Sequence, residues 1–345
     1  MQAFCEDEMI IGFVKERPAW EYRVAVIPQT VKQLIALGHQ VCFENGCGER
    51  AGYFDNQYID AGAQQLRNAE AVYAKSELVI KIWAPQEEEY GFLHEGLWIV
   101  ANFESYKKPE RLKIWEKYKI NALAIERVPR LSRVQDIDTL SSQHNLAGYK
   151  AALVAMDMST QSVPLMMTAA GVLPPVKALV IGAGVAGLQA VATLQRMGAQ
   201  VFASDVRKET VEQVKSLGAQ FIEATPENIN KVLPECGIVI TAVGLIEEKV
   251  PELINAAQLQ RLPKGAVVLD MASGNVEGAI SGRLLDNGHY KLLADSHLAA
   301  DVAYSASFLH SRNMYNLLLR WDMLVQDKEV WSALLISQEN GEGKK

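Results

Sequence analysis

A chain of 345 residues with 49% apolar and 22% charged side chains suits two cores of ordinary size and carries normal charge for a soluble protein. Its net charge of −7, with no basic stripe, argues against nucleic acid as a partner. The longest apolar stretch, 163–188, is interrupted by Pro164, Pro174, Pro175 and Lys177, so no spanning helix is expected. Glu6, Asp7 and Glu8 stand where a secretory leader would be basic, so the chain is expected to be cytoplasmic or peripheral to a membrane complex.

In chain order, 9–14 reads as a strand, 15–28 as a charged loop, 29–37 as a helix stopping at Gly38, and 39–44 as a strand before the turn NGCGERAGY. A helix near 56–63, strands over 77–83 and 97–101, a helix over 109–118 and a strand over 121–125 follow. Strands alternating with helices mean an open parallel sheet. Residues 127–138 are polar and form a surface loop. Residues 139–158 read as one long connecting helix, capped by Asp138 or Thr139.

Beyond the Gly/Pro-rich stretch after Pro164 comes VKALVIGAGVAGLQAVATLQRMGAQVFASDVR, 176–207. The apolar run ending at Ile181 reads as a strand buried on both faces, 183–197 as a helix stopped by Gly198, and 200–204 as a second strand ending at Asp205. Gly182, Gly184 and Gly187 stand at G-x-G-x-x-G spacing between strand and helix. Gly182 permits the tight turn, and Gly184 lets a pyrophosphate approach the free N–H groups of the helix start at Val185 and Ala186. Gly187 lets helix and strand pack closely. Asp205, with Val206 and Arg207 after it, stands where a carboxylate can hold both ribose hydroxyls, which favours NAD(H) over NADP(H) because a 2′-phosphate would be repelled. Arg207 either neutralises Asp205, touches the adenine, or recognises a 2′-phosphate. The competing reading of the glycines is a packing device without a ligand.

A helix over 208–217, strand 221–223, helix 227–233, strand 238–242, helix 255–262 and strands 266–270 and 291–294 complete this half. The helix expected over 305–325 returns to the first domain, its apolar face serving as core or dimer interface. The Glu/Gly/Lys tail from Gln338 is expected to be disordered. Cys5, Cys42, Cys47 and Cys236 form no C-x-x-C pair, and the six histidines show no metal spacing. Neither a P-loop nor a G-x-S-x-G elbow is present. Met158, Met166 and Met167 read as packing residues.

RLSRVQDIDTLSSQHNLAGYKA (130–151), TAAGVLPPVKALVIGAGVAGLQA and the DVR at Asp205 together resemble the NAD(H)-binding domain I of proton-translocating NAD(P) transhydrogenase alpha subunits. YRVAVIP, ENGCGERAGYFD and HLAADVAYSASFLHSRNMYNLLL extend the resemblance over most of the chain, which is identified as a member of the alanine dehydrogenase/pyridine nucleotide transhydrogenase family. The resemblance implies two Rossmann-like doubly wound α/β domains with a cleft between them, joined by long helices. The first would comprise 1–138 and 305–345, and the second, NAD-binding, 139–304. It implies a Re/Si-specific transhydrogenase component that forms a homodimer, works beside a membrane subunit, and passes hydride to or from NADP(H) held on a partner subunit. Catalytic positions implied by the match are Arg130, Gln135, Asp138 and Ser141. Arg130, tied by Asp138, would orient the nicotinamide, and Gln135 would reach the second nicotinamide. The cofactor lip would include Ala242 and Val243.

Alanine dehydrogenases resemble the chain too, but their substrate lysine falls at Trp83, their histidine at Glu104, and their aspartate near Gly274. Arg23 matches their carboxylate-binding arginine; a salt bridge to Glu16 or Glu21 is its other reading. Three departures from transhydrogenases cluster near the lip: a short segment between Phe221 and Ile238, ASGNVEG without paired glycines, and TAVGLIEE. A self-sufficient amino-acid or opine-type dehydrogenase and a non-catalytic NAD-binding regulator therefore stand as the alternatives.

Overall fold

The computed structural model describes residues 8–244 and 250–337. Cys5, the LIEE stretch and the tail from Gln338 lie outside the described residues. The chain divides into two compact units, Met1–Gln143 with Val302–Lys345, and His144–Asp301.

The first unit begins β1 (Ile10–Phe13), α1 (Pro28–Ala36), β2 (Gln40–Glu44), α2 (Asp55–Asp60), β3 (Gln64–Leu66), α3 (Ala69–Lys75) and β4 (Leu78–Trp83). It continues β5 (Trp98–Asn102), α4 (Leu112–Lys117) and β6 (Asn121–Ala124). The six strands form one parallel sheet in the order β3-β2-β1-β4-β5-β6, so the order reverses at β1. Apolar residues cover both faces, Val31, Leu34 and Tyr58 on one and Val72, Tyr73 and Trp115 on the other. That double burial explains why β4, LVIKIW, is apolar at every position but Lys81. Neither β3 nor α3 is evident from the sequence, because β3 is a three-residue edge strand with two exposed glutamines. Asn68 caps α3 by accepting the Ala71 N–H at 3.1 Å.

α5 (Thr139–Met158) starts in the first unit and runs on into the second. There follow β7 (Met166–Thr168) and β8 (Gly171–Leu173), an antiparallel hairpin with no periodic signal in the sequence. The expectation that Met166 and Met167 pack inside is corrected here. Met158 packs on the core, but Met167 is 76% exposed, and Leu165, Met166, Val172 and Leu173 are exposed around it.

The remainder of the second unit is β9 (Lys177–Ile181), α6 (Val185–Arg196), β10 (Gln200–Asp205), α7 (Thr210–Ser216), β11 (Gln220–Glu223) and α8 (Pro226–Val232). Then come β12 (Ile238–Thr241), α9 (Ala256–Leu259), β13 (Ala266–Asp270), β14 (Arg283–Asp286) and β15 (Tyr290–Ala294). The sheet order is β11-β10-β9-β12-β13-β15-β14, parallel except for β14. Both halves are thus doubly wound α/β structures whose strand order reverses at the first strand of the sheet, and crevices at such reversals bind ligands beyond the strand carboxyl ends.

The chain returns to the first unit through α10 (Ala303–Leu319), α11 (Trp321–Gln326) and α12 (Lys328–Leu334). The single helix expected over 305–325 is broken at Arg320, whose φ/ψ of −104°/9° leaves the helical range. Its guanidinium there serves the 130s loop instead. α10 is buried along Ala306, Met314, Leu317 and Leu318. Ser307 and Ser311 hydroxyls accept the N–H groups of Val24 and Ile27, at 2.9 and 3.0 Å. Cys42, Cys47 and Cys236 are free and buried, and among the described residues no helix is long and apolar enough to cross a membrane.

Candidate functional site

The turn after β9 lies where three strand ends meet. The Gly182 N–H donates to the Ser204 carbonyl at 2.7 Å, and the Ala242 N–H to the Ile181 carbonyl at 2.8 Å. Gly182 has φ +99°, and a Cβ on it would stand 2.8 Å from the Ala242 oxygen. A Cβ on Gly187 would lie 1.7 Å from the Gly182 oxygen, so the first turn of α6 rests directly on the loop. Gly184 differs. Among the described residues a Cβ there would meet nothing nearer than Arg207 Nη2, at 3.8 Å, so their packing alone does not demand glycine. Among the described residues no side chain caps α6 at Gly184, leaving the N–H groups of its first turn, from Val185 onward, at the positive end of the helix. Gly148 of α5 supports this turn from behind, since a Cβ on it would lie 2.0 Å from the Ala186 oxygen. Sequence reasoning missed that role; its only signal was a glycine inside a long helix.

Asp205 ends β10 with its carboxylate turned to the same loop. Oδ2 accepts the Ala183 N–H at 2.7 Å, and Oδ1 accepts the Arg207 N–H at 2.9 Å. The Arg207 guanidinium adds Nε to Oδ1 at 3.0 Å and Nη2 to Oδ2 at 2.9 Å. Burial alone would raise this carboxyl, but the bonds from Arg207 and the two backbone N–H groups outweigh it and hold it below the usual carboxylate range. Of the three readings of Arg207, neutralising Asp205 is the one seen. Val206 between them is 85% exposed.

The lip beside Ala242 and Val243 is built on Asp270 and Asn275, both fully buried. Asp270 accepts the N–H groups of Ala272, Gly274, Asn275 and Val276 and the Thr241 hydroxyl, all within 3.2 Å. Asn275 accepts the Val243 N–H at 3.1 Å and donates to the carbonyls of Val243 and Pro251, at 2.9 and 2.8 Å. One amide thereby fastens two strand-end loops. Ser273 holds φ +54°, a left-handed conformation that favours glycine.

In the first unit, residues 132–137 form two short 3₁₀ turns that meet at a kink at Val134 (φ −127°, ψ 16°), pinned to α10 and to Arg320 at its end. The Asp136 carbonyl accepts Asn313 and Asn316 side-chain amides at 2.8 and 3.1 Å, and Arg320 pairs with the Asp136 carboxylate and the Arg133 carbonyl. Arg130 and Gln135 are exposed on this fixed loop. Asp138 caps α5, accepting the Ser141 N–H at 2.9 Å and the Ser141 hydroxyl at 2.6 Å. The expected tie between Asp138 and Arg130 is not found among the described residues, because the helix cap takes the carboxylate.

Arg23 takes the salt-bridge reading. Its guanidinium grips Glu21 through Nε and Nη2 at 2.8 and 2.6 Å, and Nη1 donates to Gln143 at 2.7 Å, all three side chains buried. Trp83 Nε1 donates to the same Glu21 at 2.6 Å. Glu104 is paired with Lys108 and has φ +51°. Beneath them Lys81 is buried between Glu89 at 3.0 Å and Glu16 at 3.7 Å. Burial, partly offset by Lys81, pushes the Glu16 carboxyl up to about 7. Among the described residues no group of His, Cys, Asp and Glu could hold a metal ion.

The chain matches the family models described as alanine dehydrogenase/PNT, N-terminal domain, over residues 12–147, and C-terminal domain, over residues 151–340. An NAD(P) transhydrogenase subunit alpha polypeptide of Rhodospirillum rubrum is 34% identical over 343 residues, with 90% of this chain and 89% of that protein covered. A solved transhydrogenase from Sinorhizobium meliloti superposes with a TM-score of 0.88 at 35% identity, over 94% of this chain and 96% of that one. An L-alanine dehydrogenase structure reaches a TM-score of 0.84 at 22% identity, over 94% and 93%, and shares the fold.

Proposed function

Because the chain belongs to the alanine dehydrogenase/PNT family, on the side of the NAD(P) transhydrogenase alpha subunits, we propose that it holds NAD(H) on its second unit. From there it would exchange hydride with NADP(H) on a partner subunit of a proton-translocating, Re/Si-specific transhydrogenase. The observation that carries the reading is the uncapped start of α6, open at Gly184, with Asp205 ending the neighbouring strand. These residues fit a dinucleotide: N–H groups at a positive helix end suit a pyrophosphate, and a carboxylate beside them suits a ribose diol. Bound nicotinamide would supply or accept the hydride at C4. The chain's own residues need only bind, orient and exclude water, since direct transfer between two rings moves no proton. In this account Arg130 orients the carboxamide and Gln135 reaches toward the second ring. Asp138 and Ser141 act by fixing the start of α5 behind them.

The amino-acid dehydrogenase alternative loses support in the first unit. Arg23 is buried and held by Glu21 and Gln143 through Nε, Nη1 and Nη2, and Trp83 and Glu104 replace the lysine and histidine that oxidative deamination would use. The exposed hairpin of β7 and β8, with Leu165, Met166, Met167, Val172 and Leu173, supports a homodimer, because a two-stranded ribbon with an uncovered apolar face is marginal alone. Association with the membrane would then run through partner subunits.

The test is titration of the purified chain with NADH, followed by nicotinamide fluorescence, alongside a screen of amino acids for NAD reduction. Binding of NADH without amino-acid turnover is expected. Turnover of an amino acid, or no affinity for NADH, would overturn the reading.

A further inference from the structure

We infer that the Arg207 side chain occupies the adenosine-ribose subsite of the second unit and leaves it whenever nucleotide binds, so that Arg207 sets the affinity for the ribose diol. The inference rests on the reading of that unit as a dinucleotide site.

A carboxylate offers about four lone-pair positions. Those of Asp205 are all taken, by the N–H groups of Ala183 and Arg207 and by Nε and Nη2 of Arg207, at 2.7 to 3.0 Å. A ribose brings two hydroxyl donors, and two of the present donors must yield to them. The backbone N–H groups belong to the loops that make the crevice. The Arg207 side chain does not: it is 50% exposed, while the Asp205 side chain it grips is 7% exposed. Its Nη2 also stands 3.8 Å from where a Cβ of Gly184 would project. The guanidinium therefore reaches from the acid toward the open glycine, the two features that recommend this crevice for a nucleotide. Its departure requires no movement of a buried group.

Apparent affinity falls by the fraction of chains in which the fork is released. Removing the side chain lifts that penalty for any ligand that needs the carboxylate and for no other. Adenosine carries the diol without a phosphate that a freed Arg207 could grip, so it isolates the exchange.

The experiment measures inhibition of NADH binding by adenosine and by 2′,3′-dideoxyadenosine, on wild type, Arg207→Ala and Arg207→Lys. Arg207→Ala should bind adenosine roughly two- to fivefold more tightly, the range of a partly exposed ion pair. It should gain nothing for the dideoxy analogue. Arg207→Lys, which keeps the charge without the fork, should fall between. Equal or weaker adenosine binding by Arg207→Ala, or an equal gain for both nucleosides, overturns the inference while leaving NADH binding by wild type intact. Failure of wild type to bind NADH would instead remove the reading beneath it.

Discussion

Gly184 and Gly187 lie three residues apart in one turn, and their replacement by alanine should weaken NADH binding at both but have opposite effects on stability. A Cβ at position 187 would stand 1.7 Å from the Gly182 oxygen, whereas real Cβ atoms do not approach another heavy atom within 3.0 Å. The start of α6 must therefore retreat by about 1.3 Å, the shortfall between those two distances. Such overpacking costs about 1–3 kcal/mol of stability. The same retreat would stretch a normal N–H to phosphate bond beyond about 4 Å, where it no longer counts as one. Losing one charge-assisted bond removes about 1.5–3 kcal/mol, so NADH affinity should fall roughly 10- to 150-fold. At position 184 the methyl group meets nothing closer than 3.8 Å, and the φ of −78° suits alanine. Gly184→Ala should leave stability unchanged or raise it by about 0.4–1 kcal/mol, yet weaken NADH binding by filling the space a pyrophosphate needs. Thermal melts and fluorescence titrations on both variants read the split. Loss of stability with unchanged affinity in Gly184→Ala, or a Gly187→Ala protein indistinguishable from wild type, would refute the reasoning.

Three further outcomes follow from the first unit and the lip. Glu16 titrates near 7 when folded against 4.5 as a free side chain, so the folded state keeps its proton longer. Its contribution is complete below about pH 4.5 and fades as pH rises toward 7, at up to ~1.4 kcal/mol per pH unit. Urea melts across that interval should show Glu16→Gln with a flatter decline; an unchanged slope would assign the effect elsewhere. Ser273→Gly relieves a φ of +54° and should stabilise the second unit by about 0.5–1 kcal/mol, read as a higher melting temperature. Trp83→Lys should not yield alanine oxidation, because Arg23 remains held by Glu21 and Gln143; NADH production from alanine by that variant would show the arginine to be available after all.

The strand, turn and helix of the second unit were legible because Gly182 and Gly187 answer local steric demands that no other residue meets, and Gly184 completes their spacing. Asp205 could be placed from its position at the end of the following strand. What the spacing could not reveal was the state of its carboxylate, since Arg207 two positions on has several reachable partners. Arg23 posed the same difficulty between Glu16 and Glu21, which burial against Gln143 and Trp83 resolves. The β7–β8 hairpin was opaque, being two three-residue strands without alternation. Asp270 and Asn275 were overlooked as a pair, although an acid at the end of a buried strand followed by Gly-Asn was a visible cue. In the 130s loop the residue types pointed to a surface segment, but its attachment to α10 and Arg320 depends on residues 177 to 187 positions away.

The most direct measurement mixes the chain with an isolated NADP(H)-binding transhydrogenase domain, using NADPH deuterated at C4 as donor and an NAD analogue as acceptor. The account predicts deuterium in the reduced analogue with no dilution by solvent hydrogen, and loss of transfer in Arg130→Ala and Gln135→Asn proteins that still bind NADH. Solvent hydrogen in the product, or full transfer by both variants, would contradict it.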